Sequence, residues 1–397
     1  MTGGSLDLTS VVVDRAFAQA LTPTDASLRT CIQCGTCSAS CPSAYAMDYS
    51  PRMLWRMIQL GLKDEVLNSR TFWVCTQCHA CTVRCPRGIV TSEAMRKLRE
   101  WAAAEGLEAP EAILRMRDAV AAQYNILGED NAGRLIWSEN LEEKPEQLVG
   151  KEGAEILLYI GCVSAFFPMA YSIPQSFVQV LGQAGVDYTT LGGQEWCCGY
   201  PLYGAGMEEQ MTELAQHNIQ RVQELGVKTL VTTCPSCYHT WRHLYPQYVE
   251  GDYGFEILHA SEYLAHLIEE ERIKLGEMEM VVTYHDPCDL GRKSGIFDAP
   301  RFIIESIPGV TLVEMANTRE NALCCGGGGD VAMAEADVSE TIAERRLEQA
   351  VATEAKAIIS ACQQCKRTLQ QAARQTKTRI RALDVTELVW RAMEAAE

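Results

Sequence analysis

The sequence predicts an α+β protein of several domains, in which a helical N-terminal domain precedes two tandem α/β units with short parallel sheets. Three observations support this: two kinds of cysteine repeat, a nearly constant offset between copies of the second kind, and alternation of strand-like runs with amphipathic helices. We expect an N-terminal extension at 1–24, the helical domain at 25–100, a helical connector and linker at 101–152, and the two units at 153–278 and 279–397.

The helical domain is predicted from apolar residues that recur at three- and four-residue steps. One helix is expected to begin after Ser50 as N-cap, with Pro51 at its first position, and to continue through Leu67. Another is expected to begin at Thr91. In the connector, Pro110 separates two helical stretches, and the acidic, aperiodic stretch 138–145 is expected to be a linker.

Eight cysteines in the helical domain form two runs with the spacing C-x-x-C-x-x-C-x-x-x-C-P. This spacing is typical of two-cluster ferredoxins, in which three close cysteines hold one cluster and the cysteine before proline holds the other. Zinc would need only two Cys-x-x-Cys pairs. We therefore predict an α-helical ferredoxin domain with two cubane 4Fe–4S clusters, one held by Cys31, Cys34, Cys37 and Cys85, the other by Cys75, Cys78, Cys81 and Cys41.

The other ten cysteines form two sets of five with matching spacing. Cys162 and Cys288 are 126 positions apart, and the later pairs of landmarks are 127 and 128 apart, which indicates two copies of one unit. Each copy alternates strand-like runs (156–160, 229–232, 281–284 and 357–360) with helices (208–225 and 331–351). In a parallel sheet, ligands bind at the carboxyl ends of the strands, so cysteines that follow the strand-like runs are well placed to bind them. The sets are Cys162, Cys197, Cys198, Cys234 and Cys237, and Cys288, Cys324, Cys325, Cys362 and Cys365.

Each set, with its Cys-Cys-Gly core, resembles the cysteine-rich CCG domain, whose best-known catalytic member is the catalytic subunit of heterodisulfide reductase. The helical domain resembles that enzyme's small iron–sulfur subunit, so the chain resembles a fusion of the two. The resemblance implies a noncubane 4Fe–4S cluster in each CCG domain and a disulfide cleaved between the clusters. One site could instead hold zinc, which four cysteines also satisfy. Gly199, Gly326 and Gly327 would let the backbone turn beside the cofactors.

Disulfide reduction also needs protons, and three side chains near the cysteines are candidate donors. His285 and Asp286 lie shortly before Cys288, and His239 lies two residues after Cys237. Either histidine could instead only hydrogen-bond to the backbone. The family often has histidine directly after the cysteine that corresponds to Cys288, but this chain has Asp289 there. The sequence therefore does not decide which side chain donates the proton.

Other side chains near the cysteines have less specific expected roles. His79 is expected to adjoin a cluster without ligating it. Five aromatic side chains flank the first set and either wall a substrate pocket or shield the clusters from water. They are Trp196, Tyr200, Tyr203, Tyr238 and Trp241.

The predicted function is that of a catalytic iron–sulfur subunit of a heterodisulfide-reductase-like complex, which reduces a small-molecule disulfide or oxidises thiols. The alternative is an electron-transfer subunit that links a flavin dehydrogenase to a quinone or membrane cytochrome. A zinc-stabilised scaffold is a third reading, which the ferredoxin runs disfavour. The resemblance implies a flavoprotein or a membrane b-type cytochrome as partner.

Charge and hydropathy constrain the location and the partners. The net charge of −17, from 35 basic and 52 acidic residues, argues against nucleic acid as a partner. No apolar run is long enough to span a membrane, and no secretory signal precedes the first cysteine. We therefore expect a cytoplasmic protein that meets the membrane only through a partner.

Overall fold

The computed structural model describes residues 13–14, 16–17, 28–141 and 148–396. Its N-terminal part is helical, as predicted. The helices are α1 (Thr36–Ser40), α2 (Pro51–Gln59), α3 (Lys63–Leu67), α4 (Ala80–Val83), α5 (Thr91–Ala104) and α6 (Glu111–Gln123), followed by a 3-10 helix (Asn131–Asn140). Pro110 is the N-cap residue of α6 and separates it from α5, as predicted.

Two helical predictions in this part need correction. The expected continuous helix from Pro51 to Leu67 is two helices, because Gly61 takes φ +76° and its α-carbon lies against the Asp14 backbone. A Cβ at Gly61 would lie 2.6 Å from the Asp14 carbonyl oxygen, so only glycine fits there. Ser50 is the N-cap residue, but its hydroxyl makes no capping hydrogen bond to the described chain.

The predicted linker and extension fall partly outside the described residues. Within the linker, residues 142–145 are not described, and Ser138 lies in the 3-10 helix. Most of the expected extension 1–24 is likewise outside the described ranges.

The rest of the described chain forms two α/β units, each with a four-stranded parallel sheet. The first has strand order β2-β1-β3-β4 and the second β6-β5-β7-β8, so the two sheets share one topology and confirm the duplication. The strands are β1 (Ile156–Tyr159), β2 (Tyr188–Thr189), β3 (Thr229–Thr232), β4 (Glu256–His259), β5 (Met280–His285), β6 (Val310–Leu312), β7 (Ala357–Ser360) and β8 (Arg381–Asp384).

Helices cover both sheets. In the first unit they are α7 (Gly161–Phe166), α8 (Ser172–Gln183), α9 (Tyr200–Ala205), α10 (Met211–Leu225), α11 (Pro235–His239) and α12 (Ala260–Glu269). In the second they are α13 (Asp298–Glu305), α14 (Val331–Ala334), α15 (Ala336–Val351), α16 (Gln363–Gln375) and α17 (Val385–Glu394). The helix predicted over 331–351 is therefore broken at Glu335, and the one predicted over 208–225 begins at Met211. In the described part of the chain, no helix is both long enough and apolar enough to cross a membrane.

The two units pack together into one hydrophobic core. β1 and β7 are buried along their whole lengths, as expected for parallel strands covered on both faces. Apolar side chains of α8 and α17 belong to the same buried cluster as both sheets. Gln363, at the start of α16, donates its side-chain amide to the Ile160 carbonyl (2.8 Å) and the Thr233 hydroxyl (2.7 Å). The loop after β7 is thus joined to the loops after β1 and β3.

Arg99, on α5, ties the helical part to both units. Its buried guanidinium donates to the carbonyls of Phe72 (3.0 Å) and Cys75 (2.8 Å) in the helical part. It also donates to Gly204 (2.8 Å) in the first unit and Gly329 (3.1 Å) in the second. Because a buried guanidinium is costly to leave without acceptors, these bonds hold the three regions together.

Candidate functional site

The eight ferredoxin-type cysteines gather in the two predicted groups of four, each drawing on both runs. Cys31, Cys34, Cys37 and Cys85 line a small cavity beside Trp55. In the other group, burial and the nearby thiols of Cys75 and Cys78 raise the pKa of Cys41 to about 12. Burial and the other three thiols also raise the pKa of Cys81. The thiols are therefore grouped as two four-cysteine sites would need, and their assignment as iron ligands stays a prediction.

The two runs also share a backbone conformation. Gln33 and Gln77, each just before the second cysteine of its run, have φ of +59° and +52°. Gly35 and His79, each just after that cysteine, have φ of +87° and +62°. Successive residues of this kind turn backbone N–H groups into a concave loop that favours anions such as a thiolate-bound cluster. The loops thus suit the proposed cofactor.

The first CCG cysteine set, called the first site below, lies at the carboxyl ends of β1 and β3. Cys162 begins α7 after β1, Cys234 and Cys237 flank the start of α11 after β3, and the Cys197–Cys198 pair precedes α9. Hydrogen bonds link the thiols of Cys162, Cys197, Cys198, Cys237 and Cys234 in that order.

Arg134 supplies a positive charge to the first site. Its Nη2 donates to Cys162 Sγ at 3.3 Å, and its Nη1 is 2.8 Å from Oε1 of Glu195. Both charged side chains are 1% exposed. Burial would lower the pKa of Arg134, but Cys162 and Glu195 raise it above its ordinary value. Arg134 therefore remains a cation beside Cys162, where the Cys197 thiol and burial raise the pKa of Cys162 and the charge of Arg134 opposes that rise.

The second CCG cysteine set, called the second site below, lies at the carboxyl ends of β5 and β7, which correspond to β1 and β3 of the first unit. Cys325 Sγ lies 3.2 Å from Cys365 Sγ, and His285, Cys325 and Cys365 place their ligand atoms within 4.8 Å of one another. Arg292 Nη2 donates to Cys288 Sγ at 2.9 Å. Each site therefore has one arginine on the first cysteine of its set.

The second site is in direct contact with the helical part of the chain. The thiols of Cys288 and Cys324 hydrogen-bond to the thiol of Cys78, one of the ferredoxin-type cysteines. Arg292 spans the same contact, since its Nε donates to the Cys78 carbonyl at 2.7 Å. An electron carrier held by Cys78 would therefore adjoin the second site.

The predicted glycines turn the backbone beside the paired cysteines. Gly199 and Gly326 have φ of +86° and +85°, which only glycine adopts at little cost. Their amides donate to Cys197 Sγ (3.4 Å) and Cys324 Sγ (3.2 Å). The Gly327 amide donates to Cys325 Sγ at 3.5 Å. Amide donors to sulfur stabilise thiolate and tune the potential of bound clusters, so these glycines suit the predicted cofactor role.

All ten cysteines of the two sites line one cavity of about 650 Å³. The helical part supplies a further wall with Thr76, Gln77 and His79. Pockets for small molecules commonly have volumes of about 300 to 1,000 Å³, so a small substrate fits between the sites. The shared cavity is what the arrangement offers for chemistry: two sets of thiols that face one space.

The three proposed proton donors occupy different positions. His239 lines the cavity, with Nδ1 at 3.2 Å from the Ser294 hydroxyl, and burial lowers its pKa to about 4. His285 is fully buried beside Cys325, where Arg346 Nε donates to its Nδ1 at 3.0 Å. Arg301 pairs with both oxygens of Asp286 (2.7 and 3.0 Å). Of the three, His239 is the one found among the described residues that line the cavity.

Asp289 forms a fixed polar group on the cavity wall, directly after Cys288. Its carboxylate accepts from the hydroxyls of Tyr200 and Ser236 (both 2.6 Å), and Lys293 Nζ lies 2.8 Å away. Burial alone would raise its pKa, but Lys293 and the two hydroxyls lower it to about 2. Asp289 is therefore a carboxylate with no proton to give near neutral pH.

The aromatic side chains around the first site divide between the two expected roles. Tyr200 and Tyr203 line the cavity, as does His79. Trp196 instead stacks between Tyr124 and His217, with ring centroids 3.5 Å apart on each side. Tyr238 and Trp241 are buried in the core of the first unit. Two of the five therefore wall the cavity, and three exclude water behind it.

Sequence reasoning missed both arginines at the cysteines. Arg292 is four residues after Cys288, and this spacing could have suggested the contact. Arg134 precedes Cys162 by 28 residues and lies in the connector, so no local pattern points to it. Arg99 and Glu195 were missed for the same reason, since their partners are distant in sequence.

Comparison with known proteins places the chain in a family. The model of the cysteine-rich domain called CCG matches residues 156–242 and 282–370, and that of a 4Fe-4S dicluster domain matches 27–89. A subunit of the dihydromethanophenazine:CoB–CoM heterodisulfide reductase of Methanosarcina mazei is 32% identical over 393 residues, covering 92% of this chain and 94% of the relative.

Two further comparisons are more distant or partial. A probable iron-sulfur-binding oxidoreductase of Bacillus subtilis, FadF, is 30% identical over 374 residues, covering 91% of this chain and 50% of FadF. A crystal structure of a hypothetical protein from Helicobacter pylori shares the fold at a TM-score of 0.51 and 10% identity, covering 76% of this chain and 58% of that one. Taken with the matched domains, the comparisons show that this chain belongs to the family of iron–sulfur oxidoreductases that includes this heterodisulfide reductase component.

Proposed function

We propose that this chain reduces a small-molecule disulfide, or forms one in reverse, in the cavity between the first and second sites. One observation carries the proposal: all ten cysteines of the two sites line that single cavity. A disulfide has two sulfurs to separate, and a cavity flanked by two redox sites can serve one sulfur on each side. The name of the relative from Methanosarcina mazei supports this chemistry.

The cofactors follow from the thiol groups. We infer two cubane 4Fe–4S clusters in the helical part and one noncubane 4Fe–4S cluster in each CCG site, which together supply single electrons. Five convergent thiols at each site, amide donors from the glycines and an arginine on the first cysteine all suit an anionic cluster. Zinc at one CCG site remains the alternative, since it needs only four of the five thiols.

The protein's own residues prepare the cavity for the reaction. Arg134 and Arg292 donate to the thiols of Cys162 and Cys288, and their charges oppose the rise in pKa that the neighbouring thiols and burial cause at both cysteines. Tyr200 and Lys293 are held in place by Asp289, so that this wall keeps its shape when a substrate binds. Tyr203 lines another part of the cavity wall. Exclusion of water strengthens the electrostatic interactions inside.

A second function, that of an electron-transfer subunit, is favoured by other relatives. One relative is named EtfAB:quinone oxidoreductase, from Syntrophomonas wolfei, at 30% identity and 83% coverage of this chain. Like FadF, it is about twice as long, since the match spans 48% of it. In this reading the chain passes electrons between a flavoprotein and a membrane b-type cytochrome or quinone. In both readings we propose a cytoplasmic location, with partner subunits as electron donors or acceptors.

Anaerobic purification followed by an activity assay tests the proposal. Four four-iron clusters predict about 16 iron atoms per chain, with matching acid-labile sulfide. With reduced methyl viologen as donor, the chain should reduce members of a panel of small disulfides. A Cys325→Ser variant should lose that activity and keep the reducible clusters of the helical part. About eight iron atoms with zinc present, and no disulfide turnover by the wild type, would instead favour the relay function.

A further inference from the structure

We propose that Asp330 is the acid that gives a proton to a sulfur of the substrate in the shared cavity. This inference rests on the proposed disulfide chemistry and names a residue that neither the cysteine pattern nor the histidines pointed to. Asp330 directly follows the run of four glycines after Cys325 and precedes α14. It lines the cavity together with Cys324 and Cys325.

The backbone at Asp330 is held in an unusual conformation. Its φ is +62°, in the left-handed region, which residues with a side chain adopt less readily than glycine. The preceding glycines pack against the ferredoxin-type loop, since a Cβ at Gly329 would lie 2.4 Å from the Cys75 carbonyl oxygen. This packing fixes the chain where the carboxyl group meets the cavity. Strained residues of this kind are concentrated at functional sites.

The carboxyl group of Asp330 is buried, and one of its oxygens lacks a partner. Its side chain is 6% exposed, and Oδ2 makes no hydrogen bond to any described residue. The nearest cation is Arg99, with Nη1 at 3.7 Å, too far for a hydrogen bond. The Arg99 guanidinium already donates to backbone carbonyls, among them Gly204 and Gly329. Asp330 therefore differs from Asp289, whose oxygens are all held by donors.

The charges around Asp330 favour an acid that can both hold and release a proton. Burial raises its pKa to about 6, and the Arg99 charge opposes that rise. Helices α6 and α15, which pack against α14, carry further charged groups at or next to their ends, and these are paired with other side chains. Of these, Arg115 pairs with Glu111 at 3.0 Å, and Glu335, just before α15, pairs with Arg70 at 3.6 Å. An acid whose pKa lies near the working pH is the most effective proton donor.

The disulfide takes two electrons from an external donor through this chain, the S–S bond breaks, and two thiolates form. Asp330 gives its proton to one of them, an S–H bond forms, and the aspartate is left as a carboxylate near Arg99. Water returns a proton to Asp330, and the second thiolate takes its proton from the same group or from solvent. The net change is one disulfide, two electrons and two protons converted to two thiols.

The test compares Asp330→Asn with a matched control, Asp384→Asn. Asp384 is also a buried aspartate with a raised pKa, about 7, but it caps α17 and is not among the described residues that line the cavity. Each protein is reduced with methyl viologen and assayed in two ways: reduction of a disulfide, which needs protons, and reduction of cytochrome c, which needs only electrons. We expect Asp330→Asn to slow disulfide reduction by about 100-fold and to leave cytochrome c reduction unchanged. Asp384→Asn should retain both.

A pH profile and an infrared measurement separate a proton donor from a structural role. In the wild type, disulfide reduction should fall as the pH rises through about 6, and this limb should vanish in Asp330→Asn. A protonated-carboxyl band that disappears over the same pH range should be present in the infrared spectrum of Asp384→Asn, which lacks the other aspartate with a raised pKa, and absent from the double variant Asp330→Asn/Asp384→Asn. Asp330→Glu should recover part of the rate, because it restores an acid.

Several outcomes would overturn the inference. One is an unchanged pH profile in Asp330→Asn, and another is equal loss of both activities, which would make Asp330 structural. The absence of a titrating carboxyl band from Asp384→Asn, which retains Asp330, would overturn it even if Asp330→Asn failed to fold. If the wild type reduces cytochrome c but no disulfide, the proposed function fails, and the inference fails with it. Because this result is seen in the wild type, it is distinct from a failure of the inference alone, which is seen only in the variants.

Discussion

The first and second sites each have five cysteines, at corresponding positions of two units with the same sheet topology, yet their surroundings differ. At the first site, Arg134 reaches Cys162 from the connector and is paired with the buried Glu195. At the second, Arg292 comes from the loop after Cys288, and His285 lies against Cys325. The two copies therefore share the cysteine pattern, while each has its own electrostatic environment.

The contact with the ferredoxin-type cysteine Cys78 is the most consequential difference. The Cys78 thiol hydrogen-bonds to Cys288 and Cys324 at the second site. Electron transfer is fastest between neighbours, so electrons from the helical part should reach the second site first and cross the cavity to the first. Two sites with the same cysteine pattern are therefore expected to receive electrons one after the other.

Loss of a cysteine at either site should give the largest effect. Cys198→Ser and Cys325→Ser should each lower the iron content by about four atoms and disulfide reduction by at least about 100-fold. They should differ in electron flow: Cys325→Ser should slow reduction of the first-site cluster, whereas Cys198→Ser should leave reduction of the second-site cluster fast. Rapid freezing and electron paramagnetic resonance measure both. Equally fast reduction of the surviving cluster in the two variants would contradict an ordered path.

Removal of the two arginines should affect stability unequally. Arg134→Met leaves Glu195 buried without its cation, which should cost about 3 to 5 kcal/mol. Arg292→Met loses hydrogen bonds to Cys288 and to backbone carbonyls, which should cost about 1 to 3 kcal/mol. Anaerobic thermal unfolding should therefore show the larger fall in midpoint for Arg134→Met. Addition of Glu195→Gln to Arg134→Met should recover part of that fall; no recovery would mean that the ion pair is not the cause.

These differences mark the limit of what the sequence could predict. Apolar periodicity predicted the helices of the N-terminal part, and the repeated cysteine spacing predicted the duplication, because both can be seen directly in the sequence. The sequence did not reveal that Cys78 meets Cys288, or that Arg134 meets Cys162, because both contacts join segments distant along the chain. Asp330 looked like an ordinary residue after a glycine run, and only burial and the cavity distinguish it.

The glycines that follow the paired cysteines offer a smaller test of the same comparison. Gly199→Ala and Gly326→Ala both place a side chain at positive φ, which should cost about 1 kcal/mol each. A Cβ at Gly199 would meet the flexible Met211 side chain at 2.4 Å, whereas at Gly326 it would meet the Ser339 backbone carbonyl at 2.4 Å. Gly326→Ala should therefore give the lower unfolding midpoint and the lower iron content. Equal midpoints would show that α15 can move away from the second site.

The smallest expected effect concerns matching helix caps in the two units. His259 caps α12 after β4, and Asp384 caps α17 after β8, each in a capping box with a glutamate. Burial lowers the pKa of His259 to about 3, and burial raises the pKa of Asp384 to about 7. The two caps should therefore respond to pH in opposite directions.

The direction follows from the folded and unfolded pKa values. The buried neutral His259 contributes its full stability above about pH 6.5, and that contribution is lost as the pH falls toward 3. Asp384 contributes its full stability below about pH 3.8, and that contribution is lost as the pH rises to about 7. Asparagine is an uncharged cap at either position. Asp384→Asn should gain stability relative to wild type as the pH rises from 4 to 7, and His259→Asn should gain stability relative to wild type as the pH falls from 6.5 to 4. Thermal unfolding across that range measures both, and parallel curves for the two variants would mean that neither cap controls the stability of its unit.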